Sequence, residues 1–293
     1  MTRALVGFLG GLAAVVFSLT AVLAFPPAAP VKAVNLACNT SDDEDDPHLA
    51  DNNLSLFFTR KGAKDDIYFA HRRTASQVWP AKAALIEDYI TTEADDRSAF
   101  ATQGRYPHYL YFATKKDKTS KTFDLYVAVR HDAGKAWSAP TPVMNVNTAE
   151  DELYPWISAD GKSLYFSRKT SDGWKVFVST RKEAAGPQGW DEPTPVGLPA
   201  DFHHVTLTPD GKTMYLQGPL DGGRTGLFVA TRAGNDWGQP IALGAVNHPD
   251  GKIGDRSPNL SRDGRLLYFA SDRPGGKGGL DLYVIQTSLL DKK

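Results

Sequence analysis

Short apolar runs separated by polar turns recur along most of the chain and predict β-strands. The pattern is clearest in SADGKSLYFSRKTSDGWKVFVSTR, residues 158–181, where an Asp-Gly pair precedes one apolar run and a polar connection precedes a second. Asp-Gly accepts the positive φ of a tight hairpin turn. Runs such as SLYFS are apolar on both faces, which is typical of strands packed between neighbouring sheets.

This unit is repeated. Five copies cover residues 50–72, 109–130, 158–181, 208–232 and 261–284. The first aromatic residue of each copy falls at Phe57, Tyr111, Tyr165, Tyr215 and Tyr268, so the spacings are 54, 54, 50 and 53 residues. A period of about 50 residues with several strands in each unit is typical of a β-propeller, in which each repeat is one blade.

The ends of the chain predict how the ring closes. Four copies continue into a Trp followed by Pro and a short fourth strand, whereas the last copy ends near Ile285. The segment PVKAVN, residues 30–35, is similar to PVMNVN, residues 142–147, and precedes the first copy. We therefore predict an all-β propeller of five four-stranded blades, residues 25–293, in which the N-terminal strand completes the last blade. Six blades are the alternative.

Three recurrent features are interpreted as structural. The stretch SDRPGGKGGLDLY, residues 271–283, has the glycines and lysine of a phosphate loop, but it occupies a connection that is variable among the copies and predicts a hairpin turn. The tryptophans are predicted to pack between blades. One arginine ends the third strand of four copies and is predicted to pair with acids of a neighbouring blade; these are Arg72, Arg130, Arg181 and Arg232.

The first 24 residues predict export. Arg3 precedes a charge-free apolar run that ends in small residues before Phe25, which is the pattern of a secretory signal peptide. The run is also long enough for an uncleaved membrane anchor, which is the alternative. The expected location is the periplasm or the exterior. Cys38 is the single cysteine and cannot form an internal disulfide.

Charge narrows the class of partner. The 33 basic and 34 acidic residues give a net charge of −1. Nucleic-acid binding is not expected, because phosphate recognition needs clustered Lys and Arg. No nucleophile stands out in a Ser-His-Asp or Cys-His arrangement.

The repeat resembles a known family. Units of the form S-x-D-G-x-x-L-Y-F, a hairpin and D-L-Y-V are similar to the bacterial WD-like propeller repeats of the TolB type, with TPDGKTMYL and SDRPGGKGGLDLYV as the closest matches. The resemblance implies a propeller but no particular function. TolB-type propellers have six blades and an extra N-terminal domain, whereas five units are counted here.

The loops that lead into the innermost strands carry the candidate site. Each places a carboxylate three residues before the strand, and two histidines follow one of them; the set is Glu44, Asp96, Glu152, Asp201, Asp255, His203 and His204. In a closed ring these loops converge at the channel rim. The side chains could bind a ligand, including a divalent cation as the one possible cofactor, or they could be structural and hydrogen-bond neighbouring turns. Because neighbouring strand residues alternate, only one of the two histidines is expected to face the channel.

These observations predict a non-enzymatic binding or scaffold protein with a protein or glycan ligand at the rim. The alternative is a carbohydrate-active enzyme, a glycosidase or lyase, that uses rim carboxylates. The oligomeric state is left open.

Overall fold

A computed structural model describes residues 32–86, 89–102, 106–182 and 186–290. Its strands form five antiparallel blades. Blade 1 contains β2 (Asp43–Leu49), β3 (Ser55–Lys61), β4 (Asp65–His71) and β5 (Ala84–Leu85). Blade 2 contains β6 (Asp96–Ala101), β7 (His108–Thr114), β8 (Asp124–Arg130) and β9 (Thr141–Pro142). Blade 3 contains β10 (Glu152–Ile157), β11 (Ser163–Thr170), β12 (Gly173–Thr180) and β13 (Thr194–Pro195).

Blades 4 and 5 complete the ring. Blade 4 contains β14 (His203–Leu207), β15 (Thr213–Pro219), β16 (Thr225–Ala233) and β18 (Ile241–Ala242), and β17 (Asp236–Trp237) also pairs with β16. Blade 5 contains β19 (Asp255–Leu260), β20 (Leu266–Ser271), β21 (Asp281–Gln286) and β1 (Val34–Asn35). The innermost strand β2 contacts both β6 and β19. The predicted propeller of five four-stranded blades is confirmed.

The N-terminal strand closes the ring, as predicted. β1 pairs antiparallel with β21, with Val34 opposite Val284. The predicted alignment with residues 142–147 is wrong in register. Val34–Asn35 takes the place of β9, so that Leu36 N donates to Leu282 O as Val143 N donates to Leu125 O. The sequence similarity between residues 30–35 and 142–147 arose by chance, and the backbone pairing shows which residues are equivalent.

An asparagine fastens this closure. Asn39 Nδ2 donates to Leu282 O and Leu282 N donates to Asn39 Oδ1, both at 2.9 Å. Asn147 makes the same two-way contact with Leu125, and Asn247 with Leu227. Asn39 differs because it joins segments 243 residues apart in sequence.

The turns are those that the sequence predicts. Gly161, Gly211 and Gly264 follow aspartates at the ends of innermost strands with φ between 66° and 74°. In the connection 271–283, the backbone N–H groups of Lys277 and Gly278 donate to the Asp281 carboxylate at 2.7 and 3.2 Å. The glycine-rich segment is a hairpin connection whose N–H groups already bind an internal anion.

The repeated aromatic residues pack between blades, as predicted. Trp190 of blade 3 meets Tyr111 of blade 2 edge to face, with ring centroids 6.3 Å apart, and Trp79 meets Tyr268 of blade 5 in the same way at 6.5 Å. These contacts cover the core at the blade boundaries.

The repeated arginines make a contact that the sequence did not predict. Each guanidinium lies over the Trp of its own blade, 4.1 to 4.9 Å from the ring centroid; the pairs are Arg72–Trp79, Arg130–Trp137, Arg181–Trp190 and Arg232–Trp237. Arg181 Nε also donates to Gly161 O at 2.7 Å. The weakly hydrated, planar guanidinium favours an aromatic face, which the sequence-based pairing did not consider.

All five innermost strands run in the same direction across the disc. Their first residues lie on one face, called here the upper face, and their last residues lie on the opposite, lower face. An innermost strand of seven residues such as β2 separates these faces by about 20 Å. Within the described part of the chain, no helix has the length and apolar character needed to cross a membrane.

Candidate functional site at the channel mouth

Four of the predicted rim carboxylates are buried in contacts with their own blades. Glu152 accepts hydrogen bonds from Thr148 N and Oγ1 at 2.9 and 2.6 Å and from Arg168 Nε at 2.7 Å. Glu44 repeats this arrangement with Thr40 and Arg60. These carboxylates hold the loop before the innermost strand against the second strand, which was the structural alternative in the sequence analysis.

The equivalent carboxylates of blades 2 and 5 are held by different partners. Asp96 accepts from Thr92 N at 2.7 Å. Asp255 accepts from His248 N and from Arg273 Nη2, each at 2.6 Å. Burial raises the pKa of Glu152 and of Asp96, and hydrogen bonds from their threonines act in the opposite direction. As ligand-binding residues this set stays a prediction, since its observed partners are within the protein.

Blade 4 departs from the repeat. Asp201 lies one residue before the equivalent position and accepts from Trp174 N at 3.0 Å. Phe202 takes the place of the buried carboxylate, and a Cβ on Gly218 would lie only 2.5 Å from the Phe202 ring. The glycine therefore makes room for an aromatic ring where the other blades have a carboxylate.

A β-bulge in every innermost strand decides which side chains face the channel. The pairing register shifts in all five strands, and the bulged residues have φ between 51° and 58°; they are Asp46, Ser98, Tyr154, His204 and Ser257. The predicted alternation of His203 and His204 is wrong because the bulge interrupts it. Both imidazoles contact the Tyr154 ring, with centroids 5.8 and 4.1 Å away.

Two adjacent aspartates lie at the centre of this ring of bulges. Asp46 is 2% exposed, and its Oδ2 accepts from Ser98 Oγ at 2.9 Å and from Thr59 Oγ1 at 3.0 Å. Asp45 Oδ1 accepts from Asp46 N at 2.8 Å and from Ser257 Oγ at 2.6 Å. Its side chain is 10% exposed, so Asp45 is the one of the pair that solvent reaches.

Arg97 binds three carboxylates. Its Nε and Nη2 lie 3.0 and 2.9 Å from Asp46 Oδ2, and Nη2 also lies 3.3 Å from Asp45 Oδ2. The other arm, Nη1, lies 3.2 Å from Asp65 Oδ2, at the start of the third strand of blade 1. Asp45 and Asp65 therefore flank one planar guanidinium and can be no more than about 9 Å apart, within the separations used by glycosidase carboxylate pairs.

A second arginine approaches from blade 5. Arg256 Nη2 lies 3.2 Å from Asp45 Oδ2, and its side chain is 22% exposed. The side chains of Asp65 and Arg97 are each 16% exposed. The channel mouth is defined here as a partly solvated group of two aspartates and two arginines above the buried Asp46; its members are Asp45, Asp65, Arg97 and Arg256.

The local electrostatics shift the pKa values of Asp46 and Asp65 in opposite directions. Burial acts to raise the pKa of Asp46, but the Arg97 and Arg256 guanidiniums and the hydrogen bond from Ser98 bring it below its usual range. Burial also raises the pKa of Asp65, and there Arg97 compensates only in part while Asp46 adds to the rise. Neighbouring carboxylates whose environments push their pKa values in opposite directions are typical of acid–base sites.

Aromatic rings line one side of the mouth. The Trp174 ring stacks on His203 with centroids 5.2 Å apart and an interplanar angle of 16°, and it lies 6.1 Å from Tyr154. Lys169 Nζ lies 5.5 Å from the same indole. This group, the buried Tyr154 and His203 with the half-buried Trp174, is called here the aromatic wall.

His203 of the wall and the adjacent His204 are neutral near pH 7. Burial lowers the pKa of His203 to about 4 and that of His204 well below its usual value. His203 Nδ1 contacts the Asp201 carbonyl at 2.9 Å, so it carries the proton, and Nε2 accepts from Gln217 Nε2 at 2.8 Å. Gln217 Oε1 in turn accepts from Ser257 N at 2.9 Å, which links the wall to blade 5.

The channel is nearly filled below the aspartates. A void of about 20 Å³ between Asp46, His48 and His204 is large enough for a single water molecule. Burial lowers the pKa of His48 to about 4. Among the described residues, no group of three or more His, Cys, Asp or Glu side chains is arranged to hold a metal ion.

Comparison with known proteins identifies the fold. No protein-family profile matches the chain, and no curated protein matches it. The catalytic domain of a GH62 α-L-arabinofuranosidase from Coprinopsis cinerea has a TM-score of 0.60 at 12% identity, covering 90% of this chain and 99% of the other. An exo-1,5-α-L-arabinanase from a bovine ruminal metagenomic library has a TM-score of 0.57 at 9% identity, covering 85% and 94%. A putative TolB from Agrobacterium tumefaciens has a TM-score of 0.50 at 12% identity, covering 85% and 78%.

These likenesses correct the functional expectation. TolB-type propellers are among the neighbours, but glycoside hydrolases match over almost their whole length. These matches contradict the expected non-enzymatic scaffold and agree better with the carbohydrate-active alternative. The expectation was wrong because no motif in the sequence marks any of the loop acids as catalytic, and the repeat pattern is shared by propellers of both classes.

Proposed function

We propose that this protein is a glycoside hydrolase whose active site is the channel mouth. One observation carries the proposal: Asp45 and Asp65 lie on the two arms of the Arg97 guanidinium, partly exposed, on the upper face of a propeller. Glycoside hydrolysis needs two carboxyl groups on opposite sides of the scissile bond. The shared fold of the arabinofuranosidase and arabinanase neighbours supports the same class.

The environments of the two aspartates suggest their roles. Asp65, whose pKa is raised by burial, retains its proton to higher pH and donates it to the leaving oxygen as the glycosidic bond breaks. Asp45, which lies on the other arm of Arg97 and is reached by solvent, accepts a proton from the water that attacks the anomeric carbon. Arg97 is a positioning residue, because it contacts both aspartates and fixes their spacing.

The aromatic wall supports a sugar as substrate. The C–H faces of a sugar ring pack well on an indole, and Trp174 is a half-buried ring at the mouth. We infer an α-L-arabinofuranoside as the first substrate to test, since that is the sugar named for the neighbours. Export, predicted from residues 1–24, would place such an enzyme where polysaccharides occur.

The test is hydrolysis of 4-nitrophenyl α-L-arabinofuranoside, linear arabinan and arabinoxylan by wild type, Asp45→Asn and Asp65→Asn. Loss of a general acid or base costs about 10²- to 10⁴-fold in kcat. Asp65→Asn is expected to lose more activity on arabinan than on the nitrophenyl glycoside, because nitrophenolate leaves without protonation. Asp45→Asn is expected to lose activity on both.

Asp66→Asn is the matched control, since Asp66 adjoins Asp65 and pairs with Lys64. It should retain wild-type rates. Wild type that hydrolyses none of the three substrates would contradict the arabinofuranoside assignment. Activity that survives unchanged in both Asp45→Asn and Asp65→Asn would contradict the site itself.

A further inference from the structure

A second cavity lies on the lower face, between blades 1 and 2. Its volume is about 630 Å³, within the range of small-molecule sites. It is lined by the ends of β3, β4 and β5 from blade 1 and of β7 and β8 from blade 2. It opens about 20 Å from the channel mouth, across the thickness of the disc. This cavity is called here the inter-blade cleft.

The cleft combines an apolar interior with a planar polar side chain. Phe69, Leu85 and Ala84 supply the accessible apolar surface, above the buried Phe57, Ile86 and Trp137. His71 supplies an exposed imidazole in the same lining. Sugars present alternating C–H faces and hydroxyl edges, so an apolar surface edged by an imidazole matches them.

Two rings at the cleft are already arranged for stacking. Tyr106 and His108 lie parallel, with centroids 3.9 Å apart and an interplanar angle of 16°. Tyr106 is 43% exposed, so part of its aromatic surface is available to a ligand.

His71 is oriented by a partner at the back of the cleft. Ser55 Oγ lies 3.0 Å from His71 Nδ1, and Ser55 is only 4% exposed. This contact fixes the imidazole and leaves Nε2 as the nitrogen that can meet a ligand. The exposed His71 side chain is therefore held in one orientation by Ser55.

We propose that the inter-blade cleft is a second, non-catalytic binding site for a neutral oligosaccharide. The volume, the stacked ring at the edge and the oriented imidazole carry this inference. It does not depend on the hydrolase activity proposed above. A site on the opposite face would hold a polysaccharide chain while the channel mouth acts on another segment or another chain.

The neighbouring cleft provides a contrast within the same molecule. Between blades 2 and 3 lies a cavity of about 540 Å³ whose lining includes Lys162, Asp160 and the Arg262–Asp51 ion pair, 2.9 Å between Nη1 and Oδ1. Charged groups dominate that edge, and they favour water over a neutral sugar. A variant there serves as the matched control.

The experiment is saturation-transfer NMR and calorimetry of the full chain with xylotriose, cellotriose, α-1,5-arabinotriose and trigalacturonate. Tyr106→Ala removes the stacking ring, and Ala84→Trp fills the cleft from the exposed strand β5. Each is expected to weaken binding of a neutral trisaccharide about tenfold or more. Lys162→Ala and Asp45→Asn are expected to leave this affinity unchanged, and Tyr106→Ala should not alter hydrolysis of the nitrophenyl glycoside.

Several outcomes would overturn the proposal. They are an absence of saturation transfer from all four sugars, a preference for trigalacturonate, or unchanged binding in both Tyr106→Ala and Ala84→Trp. Binding lost in Trp174→Ala but kept in Tyr106→Ala would assign the sugar to the channel mouth alone. If the protein hydrolyses none of the substrates, these binding measurements still test the inter-blade cleft.

Discussion

Replacing Arg97 by Met should destabilise the protein strongly and in a pH-dependent manner. The guanidinium contacts Asp46 through two nitrogens and also contacts Asp45 and Asp65, and its side chain is only 16% exposed. Methionine keeps most of the volume but leaves three carboxylates facing one another, with Arg256 as the remaining cation beside Asp45. Removing one partner of a buried ion pair costs about 3–5 kcal/mol.

The size of the effect can be measured as a melting temperature. For a domain of this length, each kcal/mol changes Tm by about 2–4 °C. Arg97→Met is therefore expected to lower Tm by about 6–20 °C at pH 7. Thermal unfolding followed by tryptophan fluorescence provides the assay.

The pH dependence follows from Asp46. In the wild type its pKa is lowered, so its stabilising contribution is present above the ordinary aspartate pKa and is lost as pH falls through the folded-state value. Without Arg97, burial dominates and raises the pKa, so Asp46 destabilises the variant at neutral pH and is relieved when it is protonated. The difference between the two proteins should therefore shrink from pH 7 to pH 4.

Arg262→Met is the control, because the Arg262–Asp51 pair is exposed by 42% and 24% on its two sides. Such surface pairs contribute at most about 1 kcal/mol. Equal melting temperatures for Arg97→Met and wild type at pH 7, or a deficit that is the same at pH 4, would refute the reasoning.

Three further predictions concern closure, the thiol and the aromatic wall. Asn39→Ala should raise hydrogen exchange along β21, because Leu282 N–H loses its partner at a cost of about 1–3 kcal/mol and Leu282 C=O keeps only Leu36 N. Asn247→Ala should affect blade 4 alone, and equal protection of β21 in Asn39→Ala and wild type would contradict this. Cys38 is fully buried and burial raises its pKa to about 12, so mass spectrometry should find no iodoacetamide adduct at pH 8 without denaturant, and native labelling would contradict the burial. Trp174→Ala should reduce kcat/KM on an arabinofuranoside about tenfold at a temperature where the variant is still folded, and an unaltered kcat/KM would remove the wall from the site.

The blades could be predicted from the sequence because each local signal agrees with the repeat. Asp160-Gly161 and its equivalents specify hairpin turns, and the apolar runs after them specify strands buried on both faces. Five consistent copies compensate for the weakness of any one signal. The ring closure was predictable for the same reason, although its register was not, since Asn35 imitates Asn147 in letters but not in pairing.

The sequence predicted the face of the proposed site but not its residues. An acid recurs at Glu44 and its equivalents, and recurrence indicates a structural role in a repeat protein. The next positions along the strands hold Asp45, Arg97, Leu153, His203 and Arg256 once the bulges align the blades. That position varies in charge among otherwise similar units, and this variation was the available signal for a functional lining.

The variation in charge at this strand position also explains how blade 1 alone can supply both proposed catalytic aspartates while all five blades supply the scaffold. A carboxylate that recurs with Thr148 or Thr40 holds the same loop each time, so its contacts lie within one blade. Asp45 and Asp65 both belong to blade 1, but their electrostatic setting comes from Arg97 in blade 2 and Arg256 in blade 5. The ring brings together charges of blades 1, 2 and 5 that are far apart in sequence. Acid–base chemistry in this fold should therefore depend on ring closure, so a variant that loosens β1 from β21 should lose activity before it loses the blades themselves.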